Sequence, residues 1–375
     1  MTGPAPLDLE LVRLAAAPFG ECRMLPAAAY LEPEVLAWER EHLFAGWRCV
    51  GRGEDVAAGS MTARDLGGHG MLLVRDEGGE LRAFHNACRH RGHELLPCGQ
   101  TAEAGRAITC PYHAWSYRPD GSLVAAPGFT DLDRAAFGLR PLRVAEWHGW
   151  AFVDASGDAP GFDEHVGDLA SYVEAYDAGS LVTVVRHAYD VAANWKVVIE
   201  NYQECYHCPM IHPELCEVTP PDSGDNVQPE GAWMGGLMDL RENAETMSLD
   251  GRSGGVMLTR LDEQQQRSVM YNVVLPNLLI SLHPDYVMSH LMTPLTPDLT
   301  RIECSWAFSR EAVERCGFDP AYAVDFWDLT NRQDWAACES VQRGMHTPGY
   351  EPGPIAPRED GVHQFVSRIA RAYLG

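Results

Sequence analysis

The stretch CRHRGHELLPCGQTAEAGRAITCPYH, residues 88–113, decides the fold of the first half of this chain. It opens with CRH at 88–90 and closes with CPYH at 110–113, so each end offers one thiolate and one imidazole. Runs typical of short strands lead into both ends, LRAFHNA into the first and AIT into the second. The pattern predicts two loops, each following a strand, that hold one metal group between them.

Two cysteines and two histidines satisfy either a tetrahedral zinc ion or a mixed-ligand [2Fe–2S] cluster. A zinc site usually takes both cysteines from one loop and both histidines from another, whereas here each loop supplies one of each. That distribution favours the cluster, with the thiolates on one iron and the imidazoles on the other. His85 and His93 have no cysteine at the matching offset and are left out. The predicted cluster ligands are Cys88, His90, Cys110 and His113.

Composition excludes several classes of partner. The chain has 375 residues, 46% of them hydrophobic, which is enough for two domains with their own cores. With 29 basic and 53 acidic residues its formal charge is −24, which disfavours nucleic acid and anionic membrane surfaces as partners. No apolar run approaches the roughly 20 residues that span a bilayer, and the first residues lack the pattern of a signal peptide. Eleven irregularly spaced cysteines favour a reducing cytoplasm.

The predicted secondary structure changes along the chain. Residues 8 to 45 read as helical, and residues 47–153 alternate short β-rich runs with Gly-containing turns. A linker follows residue 155. Residues 268–308 read as consecutive strands of an antiparallel sheet, and the chain is again helical from about residue 320.

A second constellation lies in NWKVVIENYQECYHCPMIHPEL, residues 194–215. His207 and His212 are five residues apart, which on a regular helix places them roughly 140° apart. Pro209 between them favours a kink or a break that re-aims His212. Two imidazoles and one carboxylate form the facial triad of non-haem iron, which leaves positions open for dioxygen and substrate. Spacing leaves the carboxylate open among Glu200, Glu204, Glu303, Asp328, Asp334 and Glu339.

The two constellations together resemble the catalytic subunits of Rieske non-haem iron oxygenases. The first is similar to the Rieske motif C-x-H followed by C-x-x-H, without the extra cysteines of respiratory Rieske proteins, which implies a low potential, toward about −150 mV. The second resembles the mononuclear iron motif of ring-hydroxylating oxygenases. The resemblance implies His207 and His212 as iron ligands, and Asp334 in DWAACESVQ, residues 334–342, as the third. Relatives often carry an acid before that aspartate, where this chain has Gln333.

The resemblance also assigns two residues beside the iron. Glu204 falls at the carboxylate that links a Rieske histidine of one subunit to an iron histidine of its neighbour in a head-to-tail homotrimer. Asn201 falls near the iron without binding it firmly. Cys205, Cys208 and Cys216 are then expected to be small buried residues and not ligands.

The fold that the resemblance implies is α+β. A Rieske all-β domain, residues 45–155, accompanies a catalytic mononuclear iron domain, residues 156–375, with a curved antiparallel sheet and flanking helices of the START-like, helix-grip type. The N-terminal helices, residues 1–44, are expected to pack on the catalytic domain.

The implied activity is that of a terminal oxygenase with a [2Fe–2S] Rieske cluster and mononuclear Fe(II). Because the chain shows no nicotinamide or flavin fingerprint, a separate NAD(P)H-dependent reductase (flavin and iron–sulfur) or a ferredoxin is expected to supply the electrons. Two stretches, ENYQECYHCPMIHPEL at 200–215 and LPNLLISLHPDYVMSHLMTPLTP at 275–297, resemble the branch that oxidises glycine betaine, choline, carnitine and stachydrine. This resemblance predicts oxidative N-demethylation of a small quaternary ammonium compound with O₂. The alternatives are hydroxylation or dihydroxylation of an aromatic or alicyclic ring, and an electron carrier or ligand-binding protein without oxygenase activity. The aromatic residues considered for the substrate pocket are Trp233, Tyr271, Tyr286 and Trp306.

Overall fold

The computed structural model describes residues 3–65, 68 and 70–375. The chain divides into two compact units, Phe44–Pro160, and Met1–Leu43 together with Gly161–Gly375. The predicted domains 1–44, 45–155 and 156–375 stay predictions, and the first two residues of the N-terminal one lie outside the described residues. No helix of the described part is long and apolar enough to cross a membrane.

The smaller unit is built from short antiparallel strands. One sheet has the order β1-β10-β9-β4-β3-β2-β5, and a second has the order β6-β7-β8. The strands are β1 (Trp47–Arg52), β2 (Ser60–Asp65), β3 (Gly70–Arg75), β4 (Leu81–His85), β5 (Thr101–Glu103), β6 (Ile108–Thr109), β7 (Ser116–Tyr117), β8 (Leu123–Ala125), β9 (Pro141–Trp147) and β10 (Trp150–Asp154).

Strand β3 explains why this sequence forms a sheet that is covered on both faces. Its central residues MLLV are all buried and alternate between two apolar clusters, since successive side chains of a strand point to opposite faces. Met71 and Leu73 join one cluster, and Leu72 and Val74 join the other. The second cluster also contains the predicted ligands Cys88 and Cys110, so the core of the sheet carries both loops.

The larger unit combines helices with one antiparallel sheet in the order β11-β17-β16-β15-β14-β13-β12. Its helices are α1 (Leu9–Ala15), α2 (Ala28–Leu31), α3 (Pro33–His42), α4 (Phe162–Val166), α5 (Leu169–Val173), α6 (Trp195–Tyr202), α7 (Cys208–Ile211), α8 (Pro213–Val218), α9 (Arg310–Glu314), α10 (Ala321–Met345) and α11 (Asp360–Leu374). Its strands are β11 (Val182–Val191), β12 (Asp225–Asn226), β13 (Trp233–Asp239), β14 (Ser268–Val274), β15 (Leu278–Leu282), β16 (Tyr286–Thr296) and β17 (Leu299–Phe308). The consecutive strands predicted over residues 268–308 and the α+β class are confirmed.

Helix α6 is anchored on both sides. On one side the hydroxyl of Tyr202 lies 2.9 Å from that of Ser281 on β15. On the other side the carboxylate of Glu39 on α3 accepts hydrogen bonds from Trp195, Lys196 and Tyr373, all of them fully buried. A buried charge needs such partners to offset its lost hydration. The network therefore joins α3, α6 and α11 behind the segment that carries His207 and His212.

Candidate metal centres

The first centre lies on two tight loops of the smaller unit. The loop after β4 closes with the Cys88 N–H donating to the carbonyl of His93 at 2.8 Å, and Gly92 adopts φ +74°, a conformation that favours glycine. The loop after β6 closes with the Cys110 N–H donating to the carbonyl of Trp115 at 2.8 Å. Both cysteines are thereby fixed at the start of a turn.

These loops bring the four predicted ligands of the first constellation together. The rings of His90 and His113 lie 4.7 Å apart, centroid to centroid, and His90 stacks on Trp115 at 5.1 Å. The side chains of Cys88 and Cys110 are buried. The Nδ1 atoms of both histidines are buried and have no hydrogen-bond partner within the described chain. Because buried polar atoms are nearly always paired, these two nitrogens fit metal ligation.

The two cysteine thiols also fit metal ligation. Burial raises the pKa of Cys88, so a thiolate there requires a cation beside it. The Tyr117 hydroxyl accepts the Arg89 N–H at 3.0 Å and can donate its own proton to the Cys88 sulfur, 3.3 Å away. Two thiols and two free Nδ1 atoms fit the donor set of a mixed-ligand [2Fe–2S] cluster. Tyr117 was missed from the sequence, because nothing in SY at 116–117 marks it as a partner of residue 88.

The second centre is built where helix α6 has already ended. Gln203 caps α6, His207 caps the start of α7, and Pro209 occupies the first turn of α7. Pro209 therefore marks a break and a new helix start, and not a kink, because proline lacks only a donor that a first turn leaves unused. His212 stands between α7 and α8. The break lets both imidazoles face one point.

Asp334 on α10 contacts both His207 and His212. Its Oδ1 lies 2.8 Å from Nε2 of His212 and 3.3 Å from Nε2 of His207. One ligand atom from each of the three residues lies within 4.8 Å of the other two. Among the described residues, no other three His, Cys, Asp or Glu side chains come this close together. Nitrogen, nitrogen and carboxylate oxygen form the 2-His-1-carboxylate set typical of non-haem iron.

The protonation of this group shows how strongly the three side chains interact. Burial lowers the pKa of His207, but its hydrogen bonds to Asp334 and Glu204 outweigh that effect and raise it to about 10. Burial raises the pKa of Asp334, and the two histidines bring it below its usual value. Without a metal, protons on imidazole hold this set together, and a divalent cation supplies the same charge.

The two residues predicted to lie beside the iron, Glu204 and Asn201, both contact His207. Glu204 bonds Nδ1 of His207 with its carboxylate, and the Asn201 amide nitrogen lies 3.5 Å from Nε2 of His207. The remaining candidate carboxylates are engaged elsewhere or exposed: Glu200 bonds Tyr30, Asp328 bonds Tyr189, Glu339 bonds the backbone of Ala192, and Glu303 faces solvent.

The cysteines beside His207 differ from expectation. Cys205 and Cys208 form a disulfide, with their Cα atoms 4.9 Å apart, whereas two separate buried thiols were predicted. The turn between α6 and α7 brings the two side chains to bonding distance. Cys216 is half-buried and free. None of the three belongs to the ligand group found among the described residues.

A cavity of about 60 Å³ opens beside the ligand group and adjoins a larger one of about 230 Å³. The rings of Tyr202, Tyr271 and Trp327 line the smaller cavity, together with His207 and His212. The centroids of Tyr202 and Tyr271 are 5.8 Å apart, and those of Tyr271 and Trp327 are 6.2 Å apart. Of the four aromatic residues considered from the sequence, Tyr271 lines this cavity, whereas the side chains of Trp233, Tyr286 and Trp306 are buried in the core.

Comparison with known proteins identifies the class that this fold and these centres define. Residues 46–136 match the family described as Rieske [2Fe-2S] domain, and residues 179–375 match the family described as ring hydroxylating alpha subunit, catalytic domain. The second match covers more than half of the chain. The chain therefore belongs to the Rieske non-haem iron oxygenases, enzymes that hold a Rieske [2Fe–2S] cluster and a mononuclear iron.

Individual relatives in this family are similar to the chain over much of its length. The chain is 31% identical, over 370 residues, to the glycine betaine monooxygenase oxygenase subunit of Pseudomonas aeruginosa (strain UCBPP-PA14), covering 90% of this chain and 84% of that protein. It is 34% identical, over 220 residues, to the carnitine monooxygenase oxygenase subunit of Acinetobacter pittii, covering 56% and 55%. The solved structure of a quaternary ammonium Rieske monooxygenase superposes with a TM-score of 0.82 at 24% identity, covering 99% of this chain and all of that one, and shows that the fold is shared.

Proposed function

We propose that this chain is the terminal oxygenase for oxidative N-demethylation of a small quaternary ammonium compound. The observation that carries the proposal is the group of aromatic rings at Tyr202, Tyr271 and Trp327 directly beside His207, His212 and Asp334. Aromatic faces attract quaternary ammonium groups through cation–π contact, and perpendicular neighbouring rings can surround one such group. An N-methyl group held there faces the ligand group.

Charge in the adjoining cavity supports a cationic substrate. Its lining carries the carboxylates of Glu204, Asp222 and Asp360 against the single guanidinium of Arg358. An acidic cavity beside the ligand group lowers the energy of an approaching cation, and it agrees with the strongly acidic chain as a whole. The named activities of the two curated relatives concern quaternary ammonium substrates as well.

We assign the metal ligands on the contacts described above. Cys88, His90, Cys110 and His113 hold the cluster, and His207, His212 and Asp334 hold Fe(II). The two metal groups, when bound, supply stepwise electron delivery and activation of O₂. The residues of the chain do the rest: the aromatic rings orient the substrate and exclude water, and Glu204 holds the proton on Nδ1 of His207 so that Nε2 stays free for the metal.

We assign a homotrimer as the working assembly. Tyr206 and Met210, close in sequence to Glu204, are 59% and 87% exposed, and Tyr112 and Phe129 beside the cluster histidines are 53% and 47% exposed. Large apolar side chains grouped around two electron-transfer sites fit coverage by a second copy of the chain. In that arrangement Glu204 connects the iron of one subunit to the cluster of the next, and the solved relative is likewise described in terms of inter-subunit electron transfer.

A separate reductase completes the proposed system. It takes electrons from NAD(P)H through a flavin and an iron–sulfur group, or through a ferredoxin, and passes them one at a time to this chain. The relatives are themselves named as oxygenase subunits, which agrees with a separate electron donor. We place the protein in the cytoplasm, where such electron donors are found.

Reconstitution tests the function. The purified chain with a Rieske-type reductase, NADH and O₂ is incubated with glycine betaine, choline, carnitine or stachydrine, and formaldehyde is measured against NADH consumed. Coupled formaldehyde release from at least one compound is expected, with Asp334→Ala as the inactive control. Hydroxylated product from an aromatic or alicyclic ring, with no formaldehyde from any ammonium compound, would show the alternative activity.

A further inference from the structure

We propose that Gln333 is a positioning residue for the iron ligand His212, and that Glu214 fixes the orientation of the Gln333 amide. The inference rests on the proposed role of His212 as a metal ligand. It concerns two residues that take no part in the ligand group, one on α8 and one on α10, and it explains how a buried imidazole presents one chosen nitrogen to the metal.

Both nitrogens of His212 are engaged, and on opposite sides of the ring. Nδ1 lies 2.7 Å from Oε1 of Gln333, and Nε2 lies 2.8 Å from Oδ1 of Asp334. The residue is almost completely buried, so solvent cannot replace either partner. An amide oxygen only accepts hydrogen bonds. Its position therefore requires a proton on Nδ1, so Nε2, which faces Asp334, is the nitrogen that binds a metal ion once the metal replaces its proton.

An amide can rotate by half a turn and exchange its oxygen and nitrogen, so its orientation needs a cause. Glu214 supplies one. Its Oε2 lies 3.3 Å from Nε2 of Gln333. Since a carboxylate attracts only donors, the NH₂ group must face Glu214 and the oxygen must face His212. The result is a directed chain of hydrogen bonds, Glu214 to Gln333 to His212.

The two histidines are thus supported differently. His207 pairs its Nδ1 with the carboxylate of Glu204, whereas His212 pairs its Nδ1 with a neutral amide. A carboxylate at position 333 would stand between Glu214 and Asp334 and add a third negative charge. Glutamine keeps the acceptor without that repulsion, and it leaves His212 the weaker electron donor of the two imidazoles.

Binding of Fe(II) without turnover tests the proposal. The variants are Gln333→Leu, which removes the acceptor, Gln333→Glu, which keeps it, and Glu214→Leu, which frees the amide to rotate. The matched control is Glu217→Leu on the same helix, at an exposed position. Measurements are the Fe(II) dissociation constant by competition with a chelator, and the EPR spectrum of the nitric oxide adduct of the Fe(II) site. Absorbance of the cluster and circular dichroism confirm folding.

Loss of an outer partner of a metal-bound histidine typically costs about 10- to 100-fold in metal affinity, and we expect that loss for Gln333→Leu. Gln333→Glu should bind Fe(II) close to the wild-type level with a shifted EPR spectrum. Glu214→Leu should show a smaller loss with a broadened spectrum, and Glu217→Leu should show no change.

Two results would overturn the proposal. One is wild-type affinity and an unchanged spectrum in Gln333→Leu. The other is an equal loss in Gln333→Leu and Gln333→Glu, which would assign the effect to packing. If Gln333→Leu fails to fold, the other two variants test the proposal. It is then overturned if Glu214→Leu shows wild-type affinity and an unchanged spectrum, or if Gln333→Glu loses Fe(II) affinity. Asp334→Ala tests the metal assignment separately. If that variant keeps its iron, the assignment of His212 and Asp334 as ligands is wrong, whatever the Gln333 variants show.

Discussion

Asp334 and His212 are 122 residues apart in sequence, and 2.8 Å separates Oδ1 of the first from Nε2 of the second. Two helical segments meet at this contact, α10 carrying the carboxylate and the α7–α8 junction carrying the imidazole. In the proposed iron site, a metal ion replaces this hydrogen bond and is held by the same two atoms. Whether the chain carries out oxygen chemistry therefore depends on how these segments are packed.

Removal of Asp334 should empty one metal centre and spare the other. Asp334→Ala is expected to lower the iron content from about three atoms per chain to about two, while the visible absorbance of the cluster stays unchanged. Iron and acid-labile sulfide analysis measures this. Asp328→Ala, which lies on the same helix and bonds Tyr189, is the control and should retain all the iron. Equal iron loss in both variants would contradict the ligand assignment.

The hydroxyl of Tyr117 should tune the cluster. Donation to the Cys88 sulfur stabilises the reduced, more negative state, so Tyr117→Phe is expected to lower the reduction potential. A hydrogen bond to a charged group worth about 1.5 kcal/mol corresponds to a shift of roughly 60 mV for one electron. A redox titration followed by optical spectroscopy measures it. Tyr112→Phe, at an exposed tyrosine beside His113, should leave the potential unchanged.

Glu200 should make stability depend on pH. Burial raises its pKa to about 8, although the Tyr30 hydroxyl and the Lys196 ammonium act against the rise. Because the folded state keeps a proton that the unfolded state loses above its pKa of 4.5, the free energy of unfolding falls as pH rises from there to about 8. Glu200→Gln cannot ionise and should escape that fall.

Urea unfolding of both proteins between about pH 5 and pH 8 checks the sign of this effect. The stability of Glu200→Gln relative to the wild type should increase with pH, by at most about 1.4 kcal/mol per pH unit. Glu217→Gln at an exposed position is the control, and its profile should run parallel to the wild type. Parallel profiles for Glu200→Gln as well would rule out an elevated pKa.

Trp327 should contribute to recognition of the cation. Trp327→Leu is expected to raise KM for a quaternary ammonium substrate about tenfold, because a desolvated cation–π contact contributes about 1.4 kcal/mol, while kcat changes little. Steady-state formaldehyde release measures both constants. Trp306→Phe, in the core outside the cavity, is the control. A fall in kcat with KM unchanged would place Trp327 in a different role.

Met210 should lie in the subunit interface. It is 87% exposed, and Met210→Glu is expected to dissociate the trimer and to stop electron transfer from cluster to iron, because a charge cannot be buried there without a partner. Light scattering gives the mass, and single-turnover oxidation of the cluster gives the transfer. Val341→Glu, at a 48% exposed position on α10, should leave both unaffected. An intact trimer in Met210→Glu would place the interface elsewhere.

The proposed cluster ligands could be chosen from the sequence because their signal is local. Each loop carries its own Cys and His at a fixed spacing, and the strands before them show the β pattern directly. For the proposed iron ligands, the sequence signal is only partly local. His207 and His212 stand in one recognisable stretch, but spacing alone left six carboxylates open, and family resemblance, not geometry, selected Asp334 from the sequence.

The sequence by itself determined which chemical groups are present: two Cys–His loops on short strands, two histidines around a proline, and an acidic chain. Those groups carry the family resemblance that implied the α+β class, and the strand-like runs of residues 268–308 predicted an antiparallel sheet. The tertiary structure decided which distant side chains meet, because long-range packing and not spacing sets those contacts. It brought Asp334 between two imidazoles, Tyr117 to Cys88, Tyr202 and Trp327 into the cavity, and Glu214 and Gln333 behind His212.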